Sequence, residues 1–291
     1  MDYGIANNVG KPKIEDIEKM LVSAINNGIN SFDTAPTYGD SERVLGNFLS
    51  QQKINHDEIV ITTKIPKILD TVSLEKNFIK MRKHILDSLK NLNQNVISIC
   101  LLHEPIEVSN EDWMIKNLIR LKNEGLVKKI GISAYHPSEV EDFLNVSELD
   151  VIQIPINIFD NRLIVNGLLE ELAKNNNLIF GRSIFLQGLI TMDSKDTPNF
   201  LKIASPYIEE FEKLSEDFGL SKTEIAFSYV RDIQQIFSMV IGVDNTKQLS
   251  NNIELLDAPV LPENLRETIL TKFANMPEKM INPSLWSENH F

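Results

Sequence analysis

Short apolar runs alternate with amphipathic helical segments along the whole chain, and this alternation restricts the possible folds more than any other feature. Seven such runs, rich in Val, Ile and Phe, are each followed by apolar residues at helical spacing. The runs are INSFDT, EIVITTK, VISICLLH, VKKIGIS, LDVIQIP, LIFGRSIF and FSMVIG. Strands that crossover helices cover on both faces form parallel sheets. The sequence therefore predicts an α/β fold with a parallel sheet.

Two closures of that sheet are compatible with the alternation, an open doubly wound sheet and a (β/α)8 barrel. An open sheet that binds a dinucleotide usually carries G-x-G-x-x-G after its first strand, and the sequence lacks this spacing. A (β/α)8 TIM barrel is therefore favoured. No linker or low-complexity segment interrupts the pattern, so residues 1–291 are predicted to form a single barrel domain, with 257–291 as a C-terminal helix and tail.

Three residues mark predicted helix ends. Gly28 is expected to cap the C-terminus of the first helix, because glycine adopts the left-handed conformation at no steric cost. Ser73 is expected to be the N-cap of a long helix that begins at Leu74. Pro137 is expected in the first turn of a later helix, where its missing N–H has no partner to lose.

Charge and cysteine content exclude several classes of function. The formal net charge of −12 argues against nucleic acid or an anionic membrane surface as a partner, because both need clustered Lys and Arg. No apolar stretch approaches the roughly 18 residues of a membrane span, and the N-terminus lacks the apolar region of a signal peptide. Cys100 is the single cysteine, so an intramolecular disulfide is impossible and a cytoplasmic location is expected.

Polar residues follow strand after strand at the predicted carboxyl ends, where the site of a parallel barrel lies. Each residue alone has an ordinary structural explanation, such as an Asx turn or a solvated strand end. Four ionisable groups at the ends of three adjacent strands make coincidence a poor explanation. The residues are Asp33 with Tyr38, Lys64, His103, Ser133, Gln153, and Arg182 with Ser183.

Four of these segments resemble the aldo-keto reductase superfamily. FDTAPTYGDSERVLG, TTKIP, LLHEP and GISAY occur in the order and at about the separations of that family's D-x-x-x-x-Y, Lys and His tetrad. The resemblance runs from about residue 3 to residue 256 and is closest to bacterial members. It implies a barrel that binds an extended nicotinamide cofactor without a Rossmann domain, which agrees with the missing glycine motif.

The resemblance also implies catalytic roles for Asp33, Tyr38, Lys64 and His103. Reduction of a carbonyl delivers a hydride to carbon and a proton to oxygen. A free phenol has a pKa of about 10, and a nearby ammonium moves this pKa toward neutrality, so Tyr38 is the expected general acid with Lys64 beside it. Asp33 is expected to pair with Lys64, and His103 to hydrogen-bond the substrate oxygen.

Cofactor contacts follow from the resemblance position by position. Ser133 and Gln153 match the residues that hold the nicotinamide carboxamide, although Ala134 stands where an Asn commonly completes that grip. Arg182 replaces the aromatic residue that often stacks on the nicotinamide, and a planar guanidinium can also stack. Further positions match the family's pyrophosphate and adenosine contacts: Ser183 and Gln187 for the first, and Gly242, Gln248 and Asn252 for the second.

Selectivity between NADP(H) and NAD(H) is expected to be weak. Strongly NADPH-selective members carry Lys and Arg where this chain has Gly242 and Gln248. Asp244 lies close by, and only Lys247 supplies a cation in this segment. A phosphate without charge-assisted partners contributes less to binding. The resemblance to the family still implies NADPH as the cofactor, with weaker discrimination against NADH than is usual in the family.

One strand of the barrel is missing from the sequence. Only thirteen polar, glycine-containing residues precede the first helix, whereas full-length members of the family begin with a strand and usually a hairpin that plugs the barrel floor. Losing one strand would expose two sheet edges. Two explanations stay open, a start upstream of Met1 or a partly open barrel. The first is favoured, because the other motifs are intact.

The substrate is expected to be a small carbonyl compound. Pocket walls in the family come from variable loops and the tail, where Trp113, Phe159 and Trp286 are candidate pocket aromatics, although core packing explains each equally well. A resemblance to a subgroup associated with surface-sugar biosynthesis suggests a sugar-derived aldehyde or ketone. The protein is expected to be a monomer or weak homo-oligomer.

The sequence leaves two other functions open. The first is a non-catalytic nicotinamide-binding module that regulates a partner, which the missing strand favours and the retained tetrad disfavours. The second is a barrel isomerase or aldolase that uses Lys64 as a Schiff-base nucleophile. The adjacent Asp33 argues against this use, because it favours the charged amine.

Overall fold

The alternation of strands and helices is present in the computed structural model, which describes residues 5, 10, 12–52, 58–68, 73–104, 108 and 112–286. The strands in these residues are β1 (Ser31–Asp33), β2 (Val60–Ile65), β3 (Ile97–Leu102), β4 (Val127–Ser133), β5 (Val151–Pro155), β6 (Leu178–Arg182) and β7 (Ser238–Met239). The α-helices are α1 (Ile14–Asn26), α2 (Ser41–Gln51), α3 (Leu74–Leu92), α4 (Trp113–Asn123), α5 (Pro137–Leu144), α6 (Arg162–Val165), α7 (Leu168–Lys174), α8 (Ser205–Phe218), α9 (Lys222–Arg231), α10 (Thr246–Glu254), α11 (Glu263–Lys272) and α12 (Glu278–Ile281).

The three predicted helix ends are confirmed. Gly28 has φ +82° just after α1, and the next amide, that of Ile29, donates to the Ala24 carbonyl at 3.0 Å. The Ser73 hydroxyl accepts from the Lys76 amide at 3.2 Å and caps α3. Helix α5 starts at Pro137, as predicted.

The strands are hydrogen-bonded in chain order, from β1 through to β7, and the pairs with an assigned register are parallel. This confirms the predicted alternation of strands and helices around a parallel sheet. The N-terminal segment on which the argument for a missing strand depends lies largely outside the described residues.

The chain divides into two compact units. The N-terminal unit consists of the described parts of 13–154 and 171–179, and it holds β1 to β4 with most of β5. Its core is built from buried aliphatic residues of the strands, including Ile65, Leu101 and Ile132, which are fully buried. Each such side chain stabilises the fold by about 1.5–3 kcal/mol relative to exposure.

Gly131 of β4 allows a close approach within the N-terminal unit. A Cβ at this position would lie 1.7 Å from the carbonyl oxygen of Val151 in β5. Only glycine fits beside a backbone atom at that distance, so the register of β4 on β5 depends on this residue.

The C-terminal unit consists of residues 155–170 and the described parts of 1–12 and 180–291. Phe159 lies at its centre, with ring centroids 6.0 Å from Phe211 and 5.0 Å from Phe273 in edge-on contacts. Phe159 is therefore a core residue, which favours the packing explanation over a pocket aromatic. The indole N–H of Trp286 donates to the Lys279 carbonyl at 2.9 Å, so this side chain fastens the C-terminal end of the described chain.

Candidate active site

Asp33 and Lys64 form an ion pair between neighbouring strands. The Lys64 ammonium donates to Asp33 Oδ1 and, at 3.1 Å, to the Thr34 carbonyl. The Lys64 side chain is 1% exposed and the Asp33 side chain 16% exposed. Parallel pairing sets Asp33 opposite Thr62 and continues through the Thr34 amide, which donates to the Thr62 carbonyl at 2.8 Å. The sheet register therefore brings the carboxylate and the ammonium together.

The second oxygen of Asp33 also has a donor. Gln153 Nε2 of β5 donates to Asp33 Oδ2 at 2.8 Å. Because β1 and β5 are separated by three strands in the sheet, this bond requires the sheet to curl until the ends of β1 and β5 approach each other. Both oxygens of the carboxylate are held, so its orientation toward Lys64 is fixed before any ligand binds.

Tyr38 lies on a short loop above this pair. Its amide donates to the Ala35 carbonyl at 2.9 Å, and Gly39 follows with φ +61°, where the chain turns into α2. Lys64 Nζ lies 4.8 Å from the centroid of the Tyr38 ring. This contact between the ammonium and the ring face is a cation–π contact, and it places the positive charge beside the phenol.

His103 completes the group directly after β3. Its amide donates to the Ile65 carbonyl at 2.9 Å, which ties the start of its loop to the end of β2. The imidazole meets the Tyr38 ring edge-on, with centroids 5.7 Å apart and planes at 83°. Its Nδ1 lies 3.4 Å from the Thr37 hydroxyl. The four predicted residues thus lie together, and we call Asp33, Tyr38, Lys64 and His103 the tetrad cluster.

The tetrad cluster combines a held carboxylate, a buried cation, a phenol and an imidazole. Such a set can protonate a carbonyl oxygen and stabilise the negative charge that develops on it. It is poorly suited to amine nucleophilic catalysis, because the Lys64 amine is charge-paired with Asp33.

Ser133 and Gln153 lie side by side in the N-terminal unit. They are in register between β4 and β5, and both residues are 2% exposed. The Ala134 amide donates to the Gln153 carbonyl at 2.9 Å, so Ala134 takes part in this pairing through its backbone. The pair offers a hydroxyl and an amide oxygen at the ends of adjacent strands.

Arg182 and Ser183 begin an irregular loop in the C-terminal unit. Arg182 Nη1 donates to the Ser183 hydroxyl at 3.1 Å. Ser183, Leu186 and Gln187 all have positive φ, at 62°, 46° and 55°. Non-glycine residues in this conformation are strained, and such strain is concentrated at ligand-binding sites. Asn157 supports the loop by donating to the Ser183 carbonyl at 3.0 Å.

A second segment of the C-terminal unit carries Gly242, just before α10, and Gln248 and Asn252 within that helix. Gln248 is exposed and bonded to its own chain neighbours. Its Oε1 accepts from the Asp244 backbone amide at 2.7 Å. The Gln248 backbone amide donates to Oδ1 of the N-cap residue Asn245 at 2.9 Å. Asp244 is half-buried, so a carboxylate lies beside the N-terminus of α10.

Several residues that support the site were not identified from the sequence. Glu42 is 2% exposed in α2 and bonded to Thr63 beside Lys64, and Asn157 supports the Ser183 loop. For Glu42 a signal existed. It shares a helical face with Leu45 and Leu49, and an acid on an apolar face is a departure from the amphipathic pattern.

Other chemistries find no support in the part of the chain that the structure describes. No group of three or more His, Cys, Asp or Glu side chains there could hold a metal ion. None of its helices combines the length and apolar character needed to cross a membrane. Cys100 is buried, and burial raises the pKa of its thiol, which makes it unreactive.

Comparison with known proteins identifies a family and its fold. A family model described as the aldo/keto reductase family matches residues 2–269. The solved glycerol dehydrogenase AKR11B4 from Gluconobacter oxydans has a TM-score of 0.72 at 26% identity, over 94% of this chain and 90% of that one.

This chain matches two curated relatives over most of their length. The uncharacterized oxidoreductase YqkF of Bacillus subtilis (strain 168) is 26% identical over 261 residues, which is 84% of this chain and 83% of that protein. The NADH-specific methylglyoxal reductase of Escherichia coli (strain K12) is 24% identical over 294 residues, covering 87% of this chain and 85% of that protein.

Proposed function

This chain belongs to the aldo/keto reductase family, and from that premise we propose that it reduces the carbonyl of a small aldehyde or ketone with NADPH. The match confirms the family predicted from the sequence, an NAD(P)H-dependent oxidoreductase, and the parallel α/β sheet agrees with that family's barrel fold. The observation that carries the proposal is the tetrad cluster, in which the ammonium of Lys64 lies 4.8 Å from the Tyr38 ring.

A nicotinamide cofactor would supply the hydride to the carbonyl carbon. The Tyr38 hydroxyl donates the proton to the carbonyl oxygen as negative charge develops there. Lys64 stabilises the phenolate that remains, and Asp33 keeps Lys64 charged and oriented through their ion pair. His103, in edge-on contact with Tyr38, orients the carbonyl oxygen by a hydrogen bond.

The residues present fit such a cofactor. Ser133 and Gln153 are buried polar residues on adjacent strands, and they would hold the carboxamide. The loop from Ser183 to Gln187 has the strained backbone typical of a ligand clamp and would hold the pyrophosphate, with Arg182 against the nicotinamide. Gly242, Gln248 and Asn252 would contact the adenosine.

Selectivity for NADPH over NADH is proposed to be weak. Asp244 repels a 2′-phosphate placed near the start of α10, and Lys247 is the one cation between Gly242 and Asn252. A fluorescence titration with both cofactors tests this. We expect saturable binding of each, with NADPH preferred by less than about a hundredfold, or about 2.7 kcal/mol. A larger preference would contradict the proposal.

The substrate is proposed to be a small, oxygen-rich carbonyl compound, with sugar-derived aldehydes or ketones as the first class to screen. The names of two relatives, a methylglyoxal reductase and a glycerol dehydrogenase, refer to small oxygenated molecules. Methylglyoxal, glyceraldehyde and free sugars therefore form the first panel, assayed by loss of NADPH absorbance.

Tyr38→Phe tests the mechanism directly. It removes the proton donor and keeps the ring that lies near Lys64. We expect kcat to fall by about 10²–10⁴-fold while the Kd for NADPH changes less than about twofold. Tyr207→Phe, in α8 of the C-terminal unit, is the matched control and should behave like the wild type. Near-normal turnover by Tyr38→Phe would rule out the assigned proton donor.

A further inference from the structure

Glu42 is a buried carboxylate that the proposed reaction does not use. It lies in the first turn of α2 and is 2% exposed. Its Oε1 accepts from the Thr63 hydroxyl at 2.7 Å, and its Oε2 from Asn91 Nδ2 at 3.3 Å. Among the described residues, no Lys or Arg forms an ion pair with it.

Burial of the Glu42 carboxylate costs free energy of folding, because the group loses its solvation. A buried carboxylate with neutral donors loses more solvation than an apolar residue of similar size would. The same face of α2 packs Leu45 and Leu49 against the core, so the helix would be held there by apolar contacts alone. The carboxylate adds directional bonds to that packing.

Those bonds connect the two elements that carry Tyr38 and Lys64. Thr63 directly precedes Lys64 on β2, and Glu42 follows the Tyr38 loop at the start of α2. The loop is closed at its base by a 2.6 Å contact between the hydroxyls of Thr34 and Ser41. Lys64 also donates to the Thr34 carbonyl at 3.1 Å. Strand β2 is therefore bonded to the start of the loop through Lys64 and to its end through Thr63 and Glu42.

The second partner of Glu42, Asn91, is brought into reach by a close contact between two helices. Gly46 lies one turn after Glu42, and a Cβ there would be 2.2 Å from the Asn91 carbonyl oxygen at the end of α3. The absence of a side chain lets α2 approach α3 closely enough for Asn91 to reach Glu42. The carboxylate is thereby fixed from α3 as well as from β2.

We propose that Glu42 is a positioning residue, which holds the Tyr38 loop on β2 through Thr63 so that the Lys64 ammonium stays over the Tyr38 ring. The proposal rests on the function proposed above for that pair. Displacement of a catalytic group by about 1 Å can cost roughly a hundredfold in rate. Loss of the bond between Thr63 and Glu42 should therefore reduce proton transfer from Tyr38 more than it weakens cofactor binding.

The test is Glu42→Gln, which keeps the size of the side chain, leaves the Thr63 hydroxyl only a weaker, neutral acceptor and puts an NH2 group in place of one carboxylate oxygen. The readout is the titration of the Tyr38 phenolate, taken as the difference in phenolate absorbance between each protein and the same protein carrying Tyr38→Phe. We expect its midpoint to rise in Glu42→Gln, because Lys64 stabilises the phenolate less well from a displaced position. In the assay, kcat should fall about 10–100-fold with the Kd for NADPH changed less than about twofold.

Two variants of Thr63 keep the proposal testable if Glu42→Gln fails to fold. Thr63→Val removes the hydroxyl that donates to Glu42 and should raise the Tyr38 midpoint to a similar extent, whereas Thr63→Ser keeps the hydroxyl and should restore it. The double variant Glu42→Gln/Thr63→Val should be no worse than either single one, because both act through one bond. Asn47→Ala, on the exposed face of α2, is the matched control.

An unchanged Tyr38 midpoint in the folded Glu42 and Thr63 variants would overturn the proposal, whatever their thermal stability. Failure of the proposed function is recognised separately, since it would appear as a wild-type protein that binds cofactor and reduces no carbonyl compound. The phenolate titration needs no turnover, so it decides the role of Glu42 in that case too.

Discussion

The tetrad cluster and the Gly242–Asn252 segment are held together in opposite ways. In the tetrad cluster, hydrogen bonds join residues from different strands: Gln153 to Asp33 over 120 positions of the chain, and Lys64 to Asp33 over 31. In the second segment, Gln248 bonds to Asp244 and Asn245, four and three positions away. The first is largely buried and the second largely exposed.

This difference predicts where substitutions will be felt. A change in the tetrad cluster or its supports disturbs groups that share buried bonds, so it should alter the chemical step. A change in the exposed segment should alter cofactor affinity and leave the chemical step intact. Water can replace a lost contact there, and the bonds of the segment are to residues nearby in the chain.

Among substitutions that compare these two regions, Lys64→Met should have the largest effect. It removes the cation near Tyr38 and leaves Asp33 without its ion-pair partner. We expect kcat to fall about a thousandfold in steady-state assays. The same substitution in the other region, Lys247→Met, should weaken NADPH binding and leave kcat unchanged. Equal losses of kcat in both variants would remove the distinction between the regions.

Gly46→Ala should reduce stability and activity together. The new Cβ would meet the backbone of Asn91 and Leu92, which cannot move aside as a flexible side chain would. We expect the free energy of unfolding, measured in urea, to fall by about 1–3 kcal/mol. Asn47→Ala is the neighbouring control, at an exposed helical position where alanine is favourable. Unchanged unfolding of Gly46→Ala would show that α2 can shift freely against α3.

Gln153→Leu should have an intermediate effect. It removes the donor to Asp33 Oδ2 and keeps a side chain of similar size in the buried position. We expect kcat to fall about tenfold, because the carboxylate is then oriented by Lys64 and the remaining contacts alone. The measurement is kcat together with the Kd for NADPH. Because Gln153 is also proposed to hold the carboxamide, Kd should rise as well, and an unchanged kcat would show that its bond to Asp33 does not affect the chemical step.

Asp244→Ala should have the smallest effect. Removal of a half-buried carboxylate near the proposed phosphate position should raise the preference for NADPH over NADH by about threefold at low salt, with kcat unchanged. Added salt should reduce the change, since exposed charges are screened. Fluorescence titrations at two ionic strengths measure it, and a shift toward NADH would contradict the proposed location of the phosphate.

The sequence by itself determined the class of fold and the identity of the tetrad candidates. Alternating apolar runs and helical segments were sufficient for a parallel α/β sheet, because crossover helices bury both faces of each strand. In such a sheet the carboxyl ends of the strands lie at one edge, so Asp33, Lys64 and His103 could be grouped by their positions alone. The caps at Gly28, Ser73 and Pro137 were also readable, since they depend on neighbouring residues.

Only the tertiary structure decided how those residues are held. The bond from Gln153 to Asp33, the clamp of Glu42 on Thr63 and the close contact at Gly46 join segments far apart in the chain. Phe159 likewise could be assigned to the core only from its contacts with Phe211 and Phe273. Residue type and periodicity report which face a side chain is on, whereas its partner across the fold depends on register and packing distance.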